Sequence, residues 1–399
     1  MRAANFGIYV HWPFCTAKCP YCDFNSHVRV ERDEAAWQRA IARELEFVVK
    51  ELAASHRSVT SVFFGGGTPS LVSGRAVGTI LDKIATLWSL ADSAEITLEA
   101  NPTSADAARF RDYRSAGVNR LSLGVQSLDD KALAFLGRRH SATEARAAAG
   151  LATTVFERVS LDMIYSRPEQ SIAEWRSELA EAIALGTEHL SLYQLTIEDS
   201  TPFAALERAG VLLPNGEDCA TELYEVTQET MEAAGLPAYE ISNHATPGRE
   251  CRHNLLYWRY GSFAGVGPGA HGRIANGGEP IATSGERLPE RWLAQVAEKG
   301  HGFSTIDQVS EADAAREHLV MNLRLAEGLD LGAYRARWNR VFDETVMEDL
   351  ELGGFLLRRG ARVFATPTGR LVLNTVLAAL ADASRPVTSP ELGMSLAPG

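Results

Sequence analysis

A chain of 399 residues is long enough for two or three domains, and 45% hydrophobic with 23% charged residues is an ordinary globular composition. The net charge of −12 excludes a broad electrostatic grip on nucleic acid or anionic lipid, leaving only a local basic patch open. No stretch is apolar for long enough to span a bilayer, and the short run Ile8 to Val10 leads straight into His11, Trp12 and Pro13, unlike a signal peptide. The expectation is a cytoplasmic protein with reduced thiols. Of five cysteines, Cys15, Cys19 and Cys22 crowd together while Cys219 and Cys251 lie far away, which argues for metal binding over disulfides.

In chain order, β-rich runs alternate with helical patterns. Strands are expected at 7–11, 60–65, 95–100, 120–125, 158–164 and 189–196, with helices at 33–54, 74–90, 105–115, 143–152 and 172–185. This alternation predicts an α/β fold over residues 1–200, a parallel sheet with right-handed crossovers curled into a partial TIM-like (β/α)6 barrel. Chemistry in such barrels gathers at the C-terminal ends of the strands. Residues 201–300 read as a connecting region, with a helix near 217–234 and a glycine-rich stretch at 261–278. Helical spacing at 314–325 and 345–352 follows, and 362–365 with 370–373 flank Thr366-Pro367-Thr368-Gly369 as an expected hairpin turn. Together these predict a helical, winged-helix-like module over 301–380, then a frayed tail at 381–399.

Cys15, Cys19 and Cys22 form a C-x3-C-x2-C loop directly after the first strand, with the aromatic Tyr21 before the last cysteine. Three thiolates on one loop can ligate three corners of a [4Fe–4S] cluster, leaving the fourth iron open to the amino and carboxylate groups of S-adenosylmethionine (SAM). The rival reading is zinc, with His11 or His27 as fourth ligand, but zinc knuckles favour paired C-x2-C units and no second pair exists. Three buried structural cysteines fit poorly in so polar a loop.

Farther along, Gly65-Gly66-Gly67-Thr68-Pro69 closes the second strand, where glycines let a ligand approach the backbone. Glu99, Gln126 and Asp162 each follow an apolar run and would emerge at the barrel mouth, near Arg138. Any one of them alone reads as a solvated loop residue. Beyond the barrel, His253-Asn254-Leu-Leu-Tyr257-Trp258 precedes Gly265-Val-Gly267-Pro-Gly269-Ala-His271. Imidazole is the usual haem ligand and aromatics pack on porphyrin faces, yet a lone histidine beside aromatics is more often structural.

The segments Tyr9-Val-His-Trp-Pro-Phe-Cys15 and Cys22-Asp-Phe-Asn-Ser-His27 resemble the opening of the HemW and coproporphyrinogen III dehydrogenase group of radical SAM proteins. The resemblance runs on to the C-terminal module. It implies a cluster on Cys15, Cys19 and Cys22, and SAM contacts from Tyr9, Tyr21, Gly66, Gly67, Thr68, Glu99, Gln126, Arg138 and Asp162. Two local departures stand out. Ile164-Tyr-Ser166-Arg167-Pro168 replaces a usual Ile-Tyr-Gly-Leu-Pro, and Glu198-Asp199-Ser200-Thr201-Pro202 replaces a Pro-Gly turn.

Two function classes share this framework: a decarboxylating dehydrogenase and a haem chaperone. The dehydrogenase pattern carries a fourth cysteine where Phe24 stands here, and a long extension before the first strand where only Met1 to Phe6 precede Gly7. Both features favour the chaperone, as does the His-Asn-x-x-Tyr-Trp motif. The resemblance thus makes His253 the leading haem ligand, with Asn254, Tyr257 and Trp258 beside it and Cys251 and His271 as secondary candidates. It also implies respiratory haem proteins as clients, a flavodoxin-like electron donor, a homodimer, and membrane association only through a client. A radical SAM enzyme acting on another tetrapyrrole is the alternative.

Overall fold

Runs of Val, Ile, Leu and Phe punctuated by capped helices give six strands in register: β1 Asn5–Trp12, β2 Ser58–Gly66, β3 Ser89–Ala100, β4 Arg120–Gln126, β5 Arg158–Tyr165 and β6 His189–Gln194. The computed structural model describes residues 5–29, 33–52, 54, 57–275 and 279–387; of the tail expected at 381–399, the part up to Pro386 is helix and strand and the part beyond 387 lies outside the described residues. Neighbouring strands from β1 to β6 pair in parallel and in sequence order. Burial is nearly continuous along β4, where only Gln126 is not fully buried, and through the paired part of β3 and the first four residues of β6, as befits a parallel sheet covered by helices.

The crossovers are α1 Glu34–Glu51, α2 Gly74–Leu87, α3 Ala107–Ser115, α4 Asp130–Phe135, α5 Ala142–Val155 and α6 Ile172–Ala184. Their starts are written in the sequence. Ser141 with Glu144 and Ser171 with Glu174 form capping boxes, the serine side chains contributing about 1 kcal/mol each. Helix α1 buries Trp37, Ala40, Ile41, Glu44, Leu45 and Val48, one helical stripe against the sheet.

Five more strands extend this sheet. They are β7 Asn243–Ala245, β8 Ser262–Val266, β9 His271–Ile274, β10 Ile281–Gly285 and β11 Phe303–Gln308. The order is β11-β10-β9-β8-β1-β2-β3-β4-β5-β6-β7, with β8 parallel to β1 and β9 to β11 an antiparallel meander. The stretch 201–300 therefore supplies four strands of the main sheet along with α7 Pro202–Arg208, α8 Glu217–Ala233, α9 Arg252–Trp258 and α10 Pro289–Lys299.

The chain divides into two compact units, one of Met1–Ala238, Ser242–Leu256 and Gly261–Gln308, the other of Tyr239–Ile241, Tyr257–Tyr260 and the chain from Val309 on. The second contains α11 Glu311–Asn322, β12 Leu329–Asp330, α12 Leu331–Trp338, β13 Arg340–Phe342, α13 Glu344–Leu352, β14 Leu356–Arg359, β15 Arg362–Ala365, α14 Pro367–Leu371, α15 Leu373–Ala383 and β16 Ser384–Pro386. Leu319, Tyr334, Trp338, Val363 and Leu377 are among its core. Its hairpin differs from the expected one. The partner of β15 is β14, which precedes it, and not 370–373. Thr366 instead caps α14, its hydroxyl accepting from the Gly369 amide at 2.9 Å, with Pro367 in the first turn. Thr-Pro at that point is a helix start, which outweighs a turn reading. Among the described residues no helix is long and apolar enough to cross a membrane.

Candidate cluster and cofactor site

A cavity of about 330 Å3 opens at the C-terminal ends of β1 to β6. Cys15, Cys19 and Cys22 line it together with Tyr21, Gly66, Gly67, Thr68, Glu99, Gln126, Arg138 and Asp162. These residues come from separate strand ends and lie far apart in sequence, so the parallel sheet is what gathers them.

The cysteine loop leaves β1 at Trp12 and closes where Phe14 and Cys15 pair with His27 and Val28. All three thiols are free of disulfides. Each sulfur has a polar neighbour: the Thr68 hydroxyl donates to Cys15 Sγ at 3.4 Å, Arg138 Nη1 to Cys19 Sγ at 3.6 Å, and Ser26 Oγ lies 3.9 Å from Cys22 Sγ. Burial pushes the Cys15 and Cys22 thiols up, so a bound cation is what would hold them as thiolates. Among the described residues no three His, Cys, Asp or Glu side chains gather closely enough to ligate a single metal ion. Three thiols on one wall, with donors aimed at their sulfurs, fit a thiolate-held cluster.

The glycine turn is bolted to that loop. Gly67 N–H donates to Trp12 O at 2.7 Å and Thr68 N–H to Phe14 O at 2.9 Å. Gly66 has φ of 113°, and a Cβ there would lie 2.5 Å from His11 Cε1, while one on Gly67 would lie 2.7 Å from the Phe14 carbonyl oxygen. Neither position accepts a side chain. The Gly66 amide donates to Glu99 Oε2 at 3.1 Å. Burial, then the nearby Asp162 charge, raises the Glu99 carboxyl to about 8. Burial also raises Asp162, against the pull of Ser122, whose hydroxyl reaches its two oxygens at 3.1 and 3.0 Å. Two carboxyls sharing a cavity in this way are primed to ionise against a cationic ligand.

Arg138 donates to Asn101 Oδ1 and, at 2.9 Å, to the Gly124 carbonyl. Asn101 in turn donates to Thr68 Oγ1 at 3.1 Å. Sequence reasoning missed Asn101 and Ser122. Strand period was the available signal, because Ser122, Gly124 and Gln126 alternate along β4 and all face the cavity. Gln126 turns outward on a φ of 69°, ending the strand at the mouth.

Tyr9 stands apart from the cavity wall. Its hydroxyl lies 3.0 Å from His11 Nδ1, and His11 Nε2 lies 2.9 Å from the Asn25 carbonyl oxygen. It thus braces the cysteine loop from inside the barrel. The two departures from the family pattern also have local accounts. Ser166 adopts φ of 57°, the left-handed region that favours glycine. Arg167 is buried against the equally buried Glu178 at 2.6 Å, and Glu178 also accepts from Leu128 N at 2.8 Å. Thr201 caps α7, with Pro202 in its first turn.

The His253 segment does not reach this cavity. His253 is 1% exposed, with Nδ1 2.8 Å from Ser61 Oγ and its ring beside Phe63 and Tyr9, at centroid distances of 5.3 and 6.5 Å. The Glu95 Oε1 atom accepts from the His253 amide at 3.2 Å and from the Cys251 thiol at 3.4 Å. Arg158, the first residue of β5, pairs with Glu95 at 2.6 Å. These partners belong to the N-terminal parts of the strands, the end away from the cysteines. Burial lowers His253 to about 3, so its imidazole is neutral. Asn254 is half-buried beside it in the first unit. Tyr257 and Trp258 belong to the second unit, where the Trp258 carbonyl accepts from Asn322 Nδ2 at 2.7 Å.

Known proteins match this geometry and this sequence. The Radical SAM superfamily profile covers residues 9–183, and the HemN C-terminal domain profile covers 309–372. The fold resembles the coproporphyrinogen III oxidase HemN of Escherichia coli, a radical SAM enzyme, with a TM-score of 0.78 at 21% identity over 95% of this chain and 90% of that one. The heme chaperone HemW of Escherichia coli (strain K12) is 38% identical over 383 residues, covering 94% of this chain and 98% of that protein. The Bos taurus mitochondrial radical S-adenosyl methionine domain-containing protein 1 is 38% identical over 348 residues, 86% of this chain and 77% of that protein. With a three-cysteine loop over a cavity at the C-terminal ends of the parallel strands, and this likeness along nearly its whole length, the chain belongs to the HemW family of radical SAM proteins.

Proposed function

We propose that this protein is a haem chaperone that holds a [4Fe–4S] cluster on Cys15, Cys19 and Cys22, binds SAM in the adjoining cavity, and passes haem to respiratory haem proteins. The observation that carries the reading is likeness to a heme chaperone over 94% of the chain, with Phe24 on the cavity wall where a decarboxylating relative would have its fourth cysteine. The cluster supplies, when bound, an open iron site for SAM and a source of single electrons.

The chain's own groups then have distinct tasks. Gly66 and Gly67 admit the methionine end of SAM close to the backbone, ionised Glu99 faces its positive charge, and Asp162 is placed for the ribose hydroxyls. Thr68 and Arg138 donate to the Cys15 and Cys19 sulfurs, which would stabilise their thiolate charge. Haem is cargo. Ligation by His253 would require its ring to leave the Ser61 bond and the barrel interior, so Asn254, Tyr257 and Trp258 would join it only in a conformation opened at α9. Flavodoxin-like electron donors, a homodimer, a cytoplasmic location and membrane contact through a client complete the reading.

The second reading, a coproporphyrinogen III dehydrogenase, is favoured by the fold alone. One experiment separates them. Reconstituted protein loaded with haem is mixed with a haem-free respiratory acceptor, and in parallel the haem-free form is given coproporphyrinogen III, SAM and reductant. Haem transfer without decarboxylation is expected; decarboxylation without transfer overturns the proposal.

A further inference from the structure

TIM-like barrels usually fill their interior with layers of Val, Ile and Leu. In this chain the apolar residues of β3 to β6, such as Leu98, Leu121, Leu161 and Leu190, belong to the hydrophobic core. The residues that alternate with them are polar: Glu95, Thr97 and Glu99 on β3, Arg120 and Ser122 on β4, and Asp162 on β5. Glu99, Ser122 and Asp162 line the cavity, so the face that carries them points into the barrel.

Arg120 is the charge at the centre of this face. It is 2% exposed and pairs in register with Thr97 of β3 and Arg158 of β5. Two residues farther along β4, toward the cavity, the Ser122 hydroxyl holds Asp162. A buried guanidinium stays protonated, so its field acts on every carboxyl around it. Burial disfavours the ionised forms of Glu95, Glu99 and Asp162, and the Arg120 charge favours each of them. Neighbouring groups on β1 and β6 add no charge. Tyr9 is pushed up by burial and then by Glu99, and His189 is pushed far down by burial, so both are neutral.

The charges on this face can be counted. Glu95 is matched by Arg158 at 2.6 Å, and Arg138 is turned to the Cys19 sulfur and Asn101. Among the described residues, Arg120 is then the one cation acting on both Glu99 and Asp162. Two acids and one fixed cation leave room for one more positive charge, which a proton fills in the ligand-free protein. SAM, with an ammonium, a sulfonium and a carboxylate, carries one net positive charge. Building on the reading that SAM binds in the cavity, we propose that Arg120 is a positioning residue. Its buried guanidinium holds Asp162 ionised and leaves the shared proton on Glu99, so that binding of SAM displaces that proton to solvent.

The test is calorimetric titration of SAM into cluster-loaded wild type, Arg120→Gln, Arg120→Lys and Glu99→Gln. Thermal melting and cluster absorbance report the fold of each. At about pH 7, heats in buffers of different ionisation enthalpy should show release of about one proton per SAM in wild type and none in Glu99→Gln. Arg120→Gln should bind about tenfold more weakly there, and the gap should close above about pH 9, because the two carboxyls ionise later without their cation. Arg120→Lys keeps the charge and should keep the wild-type midpoint. A merely structural role predicts the same loss at every pH. Wild-type binding without proton release, or an Arg120→Gln loss that does not vary with pH, overturns the proposal. If Arg120→Gln does not fold, a displaced midpoint in Arg120→Lys overturns it instead. Absence of SAM binding by folded, cluster-loaded wild type overturns the SAM site as well.

Discussion

Replacing Gly66 by alanine tests the coupling between the glycine turn and the cysteine loop. The new methyl group would lie 2.5 Å from His11 Cε1 and 2.7 Å from its Nδ1, on a backbone with φ of 113°. The disfavoured φ costs about 1–3 kcal/mol. Overpacking against a ring held between Tyr9 and the Asn25 carbonyl costs about 1–3 kcal/mol more. Urea unfolding of the apo protein should therefore show a loss of about 2–6 kcal/mol. Because His11 is one source of the clash, adding His11→Ala should recover part of it, so that the double variant loses about 1–2 kcal/mol less than the two singles summed. The same strain should displace Gly67 and Thr68 and weaken SAM binding, measured by calorimetry. A Gly66→Ala protein within about 0.5 kcal/mol of wild type, or singles that simply add, would refute the steric argument.

Three other outcomes follow from the buried charges and the backbone. Glu95→Ala leaves the Arg158 guanidinium with Glu188 and the Arg249 and Glu250 carbonyls and takes the acceptor from the His253 amide at the start of α9, and chemical denaturation should show a loss of about 3–5 kcal/mol; a loss under about 1 kcal/mol would contradict the paired-charge account. Glu99 has its folded pKa raised to about 8 from an ordinary 4.5, so its neutral form stabilises the fold below about 4.5 and that contribution is lost as pH rises through 8. Melting of the apo protein should fall across this window and flatten in Glu99→Gln, whereas SAM affinity should rise toward pH 8 in wild type only. Ser166→Gly should stabilise the protein by about 0.5–1 kcal/mol, since φ of 57° costs glycine nothing; a destabilised variant would mean the serine side chain offsets its strain.

Most of the barrel was legible because parallel strands are near-continuous apolar runs and the helices between them begin with Ser, Thr or Asp caps. The same logic placed Glu99, Gln126 and Asp162 at the mouth, each being a polar residue at the end of such a run. What escaped had a physical reason. Strand β8 carries Gly265 and leads into Gly267 and Gly269, and those glycines serve close backbone approach, a Cβ on Gly267 lying 2.5 Å from the His11 carbonyl oxygen. A glycine-rich pattern of that kind reads as a loop. Tyr9 and His253 are a second case: their residue types fit a ligand site, but only tertiary packing shows that Ser61, Glu95 and Phe63 enclose the histidine. Nothing in the spacing of His253, Asn254, Tyr257 and Trp258 says that a unit boundary falls within their helix. The C-terminal hairpin was misplaced by one strand because Thr366-Pro367 serves a helix start and a turn equally well by composition.

Haem binding by the cluster-loaded protein is the most direct measurement of the central claim. Ferric haem is titrated anaerobically into reconstituted wild type and followed at the Soret band, with a Cys15→Ser, Cys19→Ser, Cys22→Ser variant as the cluster-free control. The account predicts saturable one-to-one binding that survives loss of the cluster in stoichiometry but shifts in spectrum. Unsaturable or absent binding by folded, cluster-loaded protein would contradict it and return the chain to the radical SAM enzymes.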